Sequence, residues 1–149
     1  MSQLSSYAGH GIQFHYPAGW ELSEESRDEA MTITVSDDAA FWSVTVMRRR
    51  PRAERVLEEA TQAFREEYEE IDEYPADGLL ARREAVGRNL EFVALELINC
   101  VFMRAVEVGG RTLFTLAQVT DHERQRYEPV FEAINDSLTP AADEEVLID

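Results

Sequence analysis

Arg48-Arg49-Arg50-Pro51-Arg52, with Arg55 close behind, sets five guanidinium groups within eight residues. A guanidinium stays charged and offers its N–H donors as a planar fork that matches carboxylates and phosphates. The cluster could hold an anion or the acidic face of a partner, or it could pair with the 30 acids of its own chain. A run of the opposite sign, Glu66-Glu67-Tyr68-Glu69-Glu70-Ile71-Asp72-Glu73, lies at the far end of the segment that the arginines open. On a helix, each charge set would oppose the macrodipole, so helix stability alone does not account for this order. Phe41 and Trp42, just upstream, are neighbours on an extended segment and must face opposite ways. One can meet an overlying helix while the other meets a second helix, the N-terminal segment or a partner. Arg48, Arg49, Arg50, Arg52, Arg55, Phe41 and Trp42 are therefore the candidate binding residues.

Other chemistry finds less support. His10, His15 and His122 are the only histidines. His10 and His15 are five apart on an extended stretch and fall on opposite faces. There is no HExxH, no CxxC and no GxSxG, so neither a metal site nor a nucleophile elbow is indicated. Cys100 lies among Ile98, Val101 and Phe102 and reads as a small buried side chain. A hydrolase-type site would act through acids such as Glu96 or Glu107 on the central strands, but nothing singles out one pair among the 30 acids. No catalytic residue, metal or cofactor is assigned.

The elements that must position these residues follow from periodicity. Ile12, Phe14 and Tyr16 alternate with polar residues, as do Met31, Ile33 and Val35, and 41–47 is β-branched and aromatic; these read as strands. Asp37-Asp38 reads as a turn. From 51 to about 71, Ala53, Leu57, Ala60, Phe64, Tyr68 and Ile71 form one apolar helical stripe. Extended segments follow at about 79–86, 90–98, 101–108 and 111–120, with a hairpin at Gly109-Gly110. Several are apolar on both faces, as expected of strands inside a sheet covered on both sides. Tyr127, Val130, Phe131, Ile134 and Leu138 share a face of a last helix, in which Pro129 should produce a kink or a late start. The order implies an α+β domain: a central antiparallel sheet flanked by helices on both faces. Its expected bounds are 12–138, after an N-terminal segment 1–11 and before an acidic tail 139–149.

The chain has 149 residues, a formal net charge of −16 and no lysine. One core is affordable at this size. The charge argues against nucleic acid and against an anionic membrane. No apolar run is long enough to span a bilayer. With one cysteine and no leader pattern, a cytoplasmic location is expected.

Phe14-His15-Tyr16-Pro17-Ala18-Gly19-Trp20 resembles the opening of the PsbP-like superfamily. The closing helix, Tyr127 to Leu138 with Pro129, Phe131, Ile134 and Ser137, is similar to that of the same group, and Gly109-Gly110-Arg111-Thr112-Leu113 matches the hairpin before it. The resemblance covers about Ile12 to Leu138. It implies a central antiparallel sheet with helices on both sides, and a binding protein without catalysis. The expectation is then a cytoplasmic protein–protein adaptor or chaperone, in its sharpest form a secretion-associated chaperone. A small-ligand protein with a pocket between sheet and helix is the alternative, followed by the carboxylate hydrolase. The partner is expected to be a protein, with homodimerisation left open.

Overall fold

Alternating β-branched and aromatic residues make Ala30–Ser36 (β4) and Phe41–Met47 (β5) an antiparallel pair, with Ile33 opposite Val44 and Val35 opposite Trp42. The structure, a computed structural model, describes residues 3–140. Before this pair come Leu4–Gly9 (β1), Ile12–Pro17 (β2) and Glu21–Arg27 (β3). After it come the helix Ala53–Glu67 (α1), then Asp72–Pro75 (β6), Gly78–Leu80 (β7), Arg83–Ala94 (β8), Leu97–Val108 (β9) and Arg111–Thr120 (β10). The helix Arg124–Ser137 (α2) and the short strand Thr139–Pro140 (β11) close the described chain.

The main sheet runs β3-β4-β5-β10-β9-β8-β6, with β7 also on β8, and every pair is antiparallel. A small sheet, β1-β2-β11, lies apart from it. The central strands supply two cores. Leu90, Phe92, Val101, Met103, Ala105 and Phe114 pack under Ala53, Val56 and Leu57 of α1. Ile33, Trp42, Val44 and Leu113 point the other way, toward Ile12 and Phe14 of the small sheet and Phe131 and Ile134 of α2. Helices therefore cover both faces, as the resemblance implied.

Several boundaries differ from the expectation. The N-terminal segment 1–11 includes a strand: β1 pairs with β2 in register from Leu4–Pro17 to Gly9–Ile12. At the other end, Thr139 and Pro140 pair with Gln13 and Ile12, and the rest of the expected acidic tail lies outside the described residues. Helix α1 ends at Glu67, with Tyr68 extended. Continuing the helix would have stacked Glu69 and Glu70 at a terminus that is already negative. Tyr68 and Ile71 still pack on the α1 core from beyond the helix. Helix α2 starts at Arg124 and runs through Pro129, which is exposed. The apolar stretch 90–98 turns in its middle, at Leu95-Glu96.

The sheet edges are guarded against pairing. All seven residues of β3 are exposed and include Glu21, Glu24, Glu25 and Arg27, while β6 is four residues long and ends in Pro75. Charge, shortness and proline all discourage strand addition at an edge.

Candidate interaction surface

The arginine cluster is largely paired inside the chain. Arg49 bonds to Glu29, Arg50 reaches Glu107 at 3.3 Å, and Arg55 reaches Glu59 one turn along α1 at 3.2 Å. Glu107 also accepts the Ala53 backbone N–H at 3.1 Å. It thus places a carboxylate at the α1 N-terminus, where the side chain of Arg52 makes no cap. Arg48 and Arg52 are exposed and enter no ion pair among the described residues. At the other end of α1, Arg65 and Arg88 share Glu58 and Glu73: Arg65 to Glu73 at 2.7 Å and to Glu58 at 2.8 Å, and Arg88 to Glu58 at 2.9 Å. The hydrogen bonds from these arginines hold both carboxyls below the usual glutamate range.

Phe41 and Trp42 do face opposite ways, but Trp42 is not a surface residue. It is fully buried, 5.0 Å from the Phe14 ring centroid, and its indole N–H donates to Asn135 Oδ1 of α2 at 2.8 Å. A large ring on the α2 side of a two-faced sheet becomes the anchor for that helix. Phe41 is half-buried at the start of β5.

Neither carboxylate nominated for catalysis joins a reactive pair. Glu107 is committed to Arg50 and Ala53, and Glu96 sits in the Leu95-Glu96 turn at the opposite end of β9. Cys100 is buried, and desolvation pushes its thiol upward, away from thiolate chemistry. His15 bonds Ser6 through its ring, while His10 approaches Glu24 at 3.5 Å. Among the described residues, no three metal-ligating side chains converge.

Two surfaces stand out instead. The first is the tip of the β8–β9 hairpin. Strand β6 stops pairing with β8 at Glu91, and β10 stops pairing with β9 at Asn99, so residues 92–98 extend past both neighbours. Val93 is 64% exposed, Leu95 96%, Leu97 42% and Ile98 45%. Leu95 and Glu96 both have positive φ, 54° and 65°. A two-residue hairpin loop of this kind favours Asn-Gly, because side-chain sterics disfavour left-handed backbone for leucine. Local stability explains neither the exposed leucine nor its conformation.

Beside the tip lies a groove of about 490 Å³, lined by Glu67, Tyr68, Glu69, Glu70, Asp72 and Phe92 among others. Its floor is the Tyr68–Phe92 stack, with centroids 4.1 Å apart. Glu91, also on the groove, pairs with Arg124 at 3.0 Å. Glu67, Glu69, Glu70 and Asp72 enter no ion pair among the described residues, unlike Glu58 and Glu73 nearby.

The second surface is an apolar groove of about 480 Å³ between β2 and α2, walled by Tyr16, Pro17, Trp20, Tyr127, Val130 and Ile134. Asp37 stands at its edge. One carboxylate oxygen accepts the Ala39 and Ala40 N–H groups at 2.9 Å, and the other accepts the Tyr127 hydroxyl at 2.5 Å. Desolvation pushes the Asp37 carboxyl up, but these three donors outweigh it and hold the group below its usual range. A depressed folded value means that this stabilisation is complete above the unfolded pKa, about 3.9, and disappears as pH falls through the lower folded value. Asp37→Asn should therefore shrink the difference in urea midpoint between pH 7 and pH 3. An unchanged difference would show that the Tyr127 contact carries no pH-dependent stability.

No family model matches the chain, and no curated protein matches it by sequence. Solved structures do match. The Ran-binding protein Mog1p of Saccharomyces cerevisiae superposes with a TM-score of 0.62 over 97% of each chain at 8% identity. PsbP (CyanoP) of Synechocystis sp. PCC 6803 gives 0.60 over 95% of this chain and 94% of its own, at 12% identity. LpqN of Mycobacterium tuberculosis, involved in cell envelope biogenesis, gives 0.58 over 93% and 90%, at 14% identity. The chain has the fold that PsbP and Mog1p share, and at these identities the likeness shows the fold alone.

Proposed function

We propose that this chain is a protein-binding domain without catalysis, an adaptor or chaperone, and that its partner docks on the β8–β9 tip. Leu95 carries the reading: it is almost fully exposed, left-handed in backbone, and flanked by Val93, Leu97 and Ile98. Contiguous exposed apolar side chains on a soluble-type fold mark contact surfaces. The acids around the tip oppose docking on an anionic membrane and oppose self-association through this face. A Ran-binding protein with the same fold supports a protein partner as the class of ligand. The cytoplasmic location belongs to the same reading, since a single buried thiol suits a reducing compartment. The groove along α2, with Trp20 and Tyr16 on its wall, supports a second reading, a site for a small apolar ligand.

The test sets stability against binding. Leu95→Asn with Glu96→Gly installs the residues that the turn geometry favours. Removing the strained conformations should stabilise the chain by about 1 kcal/mol. The same change should weaken partner binding tenfold to a hundredfold, because a buried leucine contributes roughly 1.5–3 kcal/mol. Partners captured in cells through a photo-crosslinker at position 97 would be compared for the two forms. A variant that is more stable and still binds fully would remove the tip from the reading.

A further inference from the structure

The acid-rimmed groove beside the tip has chemistry that defines what kind of segment fits it. Its floor is the half-buried ring of Tyr68, stacked on the buried ring of Phe92. Phe64 backs Phe92 with centroids 5.6 Å apart, so the floor is supported from the helix side. The Tyr68 hydroxyl makes no hydrogen bond among the described residues. Around the floor stand Glu67, Glu69, Glu70 and Asp72, none of them in an ion pair among the described residues, whereas Glu58 and Glu73 are held by Arg65 and Arg88, and Glu91 by Arg124. Unpaired carboxylates beside an aromatic face form the complement of a guanidinium, which stacks on rings and bonds carboxylates in a bidentate way. A bare cation would use the carboxylates and ignore the rings. It would also ignore Val93 and Ile98, which line the same groove and lead to Leu95.

We propose that the groove binds a cationic amphipathic segment of a partner protein, with an arginine side chain over the Tyr68 ring and apolar neighbours on Val93, Leu95 and Ile98. This rests on the reading of the tip as the docking surface and adds the chemistry of the partner. Charge complementarity commits the occupant. An acidic or purely apolar segment would leave four carboxylates facing it unpaired, and a second copy of this chain, at −16, is repelled as a whole.

The experiment uses the full chain and a labelled synthetic peptide of alternating arginine and leucine. Its controls are a peptide with serine for leucine and one with glutamate for arginine. Glu69→Gln/Glu70→Gln/Asp72→Asn removes three of the four unpaired groove charges. Glu21→Gln/Asp38→Asn/Asp136→Asn neutralises three exposed acids elsewhere that also lack ion pairs, giving the same net charge. The arginine–leucine peptide should bind the wild type, lose tenfold or more on the groove triple and change less than threefold on the control triple. The serine peptide should bind at least tenfold more weakly than the leucine peptide, and the glutamate peptide should not bind. Equal losses on the two triples would mean only bulk attraction to an acidic protein, and would overturn the proposal. So would a groove triple that binds as the wild type does. If that happens while Leu95→Asn/Glu96→Gly still loses its captured partner, the docking tip stands and only the cationic segment falls. If both variants keep every partner, both fall.

Discussion

Trp42→Ala is expected to remove about 3–5 kcal/mol of stability, the usual range for deleting a large buried aromatic. The ring has no exposed surface, packs tilted on Phe14 and donates to Asn135. Truncation therefore opens a void where β5, β2 and α2 meet and leaves the Asn135 carbonyl buried without its donor. An orphaned buried acceptor adds roughly 1–3 kcal/mol. Against a total of about 5–15 kcal/mol, the loss would be a large fraction. Trp42→Phe separates the two parts, since it keeps most of the ring volume and still orphans Asn135. Adding Asn135→Leu to Trp42→Phe should then recover stability. Urea unfolding of the three variants measures this. A loss under about 1 kcal/mol for Trp42→Ala would show that α2 is held by other contacts.

That role for Trp42 marks where the sequence was legible. Alternation at Ile33, Val35, Trp42, Val44 and Val46 is strong because one face of each strand is wholly buried, and it placed β4 and β5 to within a residue or two. The two-sided apolar runs around Phe92 and Leu113 announced helices on both faces. The tip was illegible for a physical reason. Its turn is made by Leu95 and Glu96 at positive φ, and neither residue type signals that conformation. A run of Phe92-Val93-Ala94-Leu95 looks like a buried strand until the neighbouring strands are seen to stop at Glu91 and Asn99. Strand β1 escaped because Leu4-Ser5-Ser6-Tyr7-Ala8-Gly9 covers only one face, and partly, with Ser5, Tyr7 and Gly9, so its residue types do not alternate between apolar and polar. The arginine cluster drew attention by composition, yet pairing with Glu29, Glu107 and Glu59 is a property of the fold. The acid run at the other end of α1 carried the more durable signal. Of its six acids, Glu73 is bound to arginine, Glu66 is exposed away from the groove, and the other four line the groove in no ion pair among the described residues, which only the folded chain reveals.

Gly87→Ala should be the second severe change, and it bears on the site through the edge of the sheet. Strands β6 and β7 both pair with β8, and the chain crosses from one to the other at Ala76-Asp77, directly over Gly87. The Ala76 N–H donates to the Gly87 carbonyl at 3.1 Å, and the Gly87 N–H donates to Asp77 Oδ1 at 3.0 Å. A Cβ on residue 87 would lie 2.2 Å from the Ala76 carbonyl oxygen and 3.0 Å from that of Met103. Both obstacles are backbone, so no side-chain rotation relieves them and the crossing itself must lift. Overpacking of this kind costs about 3 kcal/mol, with more if the two hydrogen bonds are lost. Two other glycines calibrate the effect. Gly110→Ala meets nothing within 4 Å and should fall within about 0.5 kcal/mol of wild type. Gly19→Ala also meets nothing but has φ of 93°, so it should cost about 1–2 kcal/mol from conformation alone. Lifting the crossing also moves β6, whose first residue, Asp72, is part of the acid rim. Gly87→Ala should therefore weaken the arginine–leucine peptide as well as the fold, although residue 87 does not line the groove, whereas Gly19→Ala should leave peptide binding intact. If Gly87→Ala unfolds with the midpoint of Gly110→Ala, the crossing yields without cost, and β6 does not owe its position to the absent side chain.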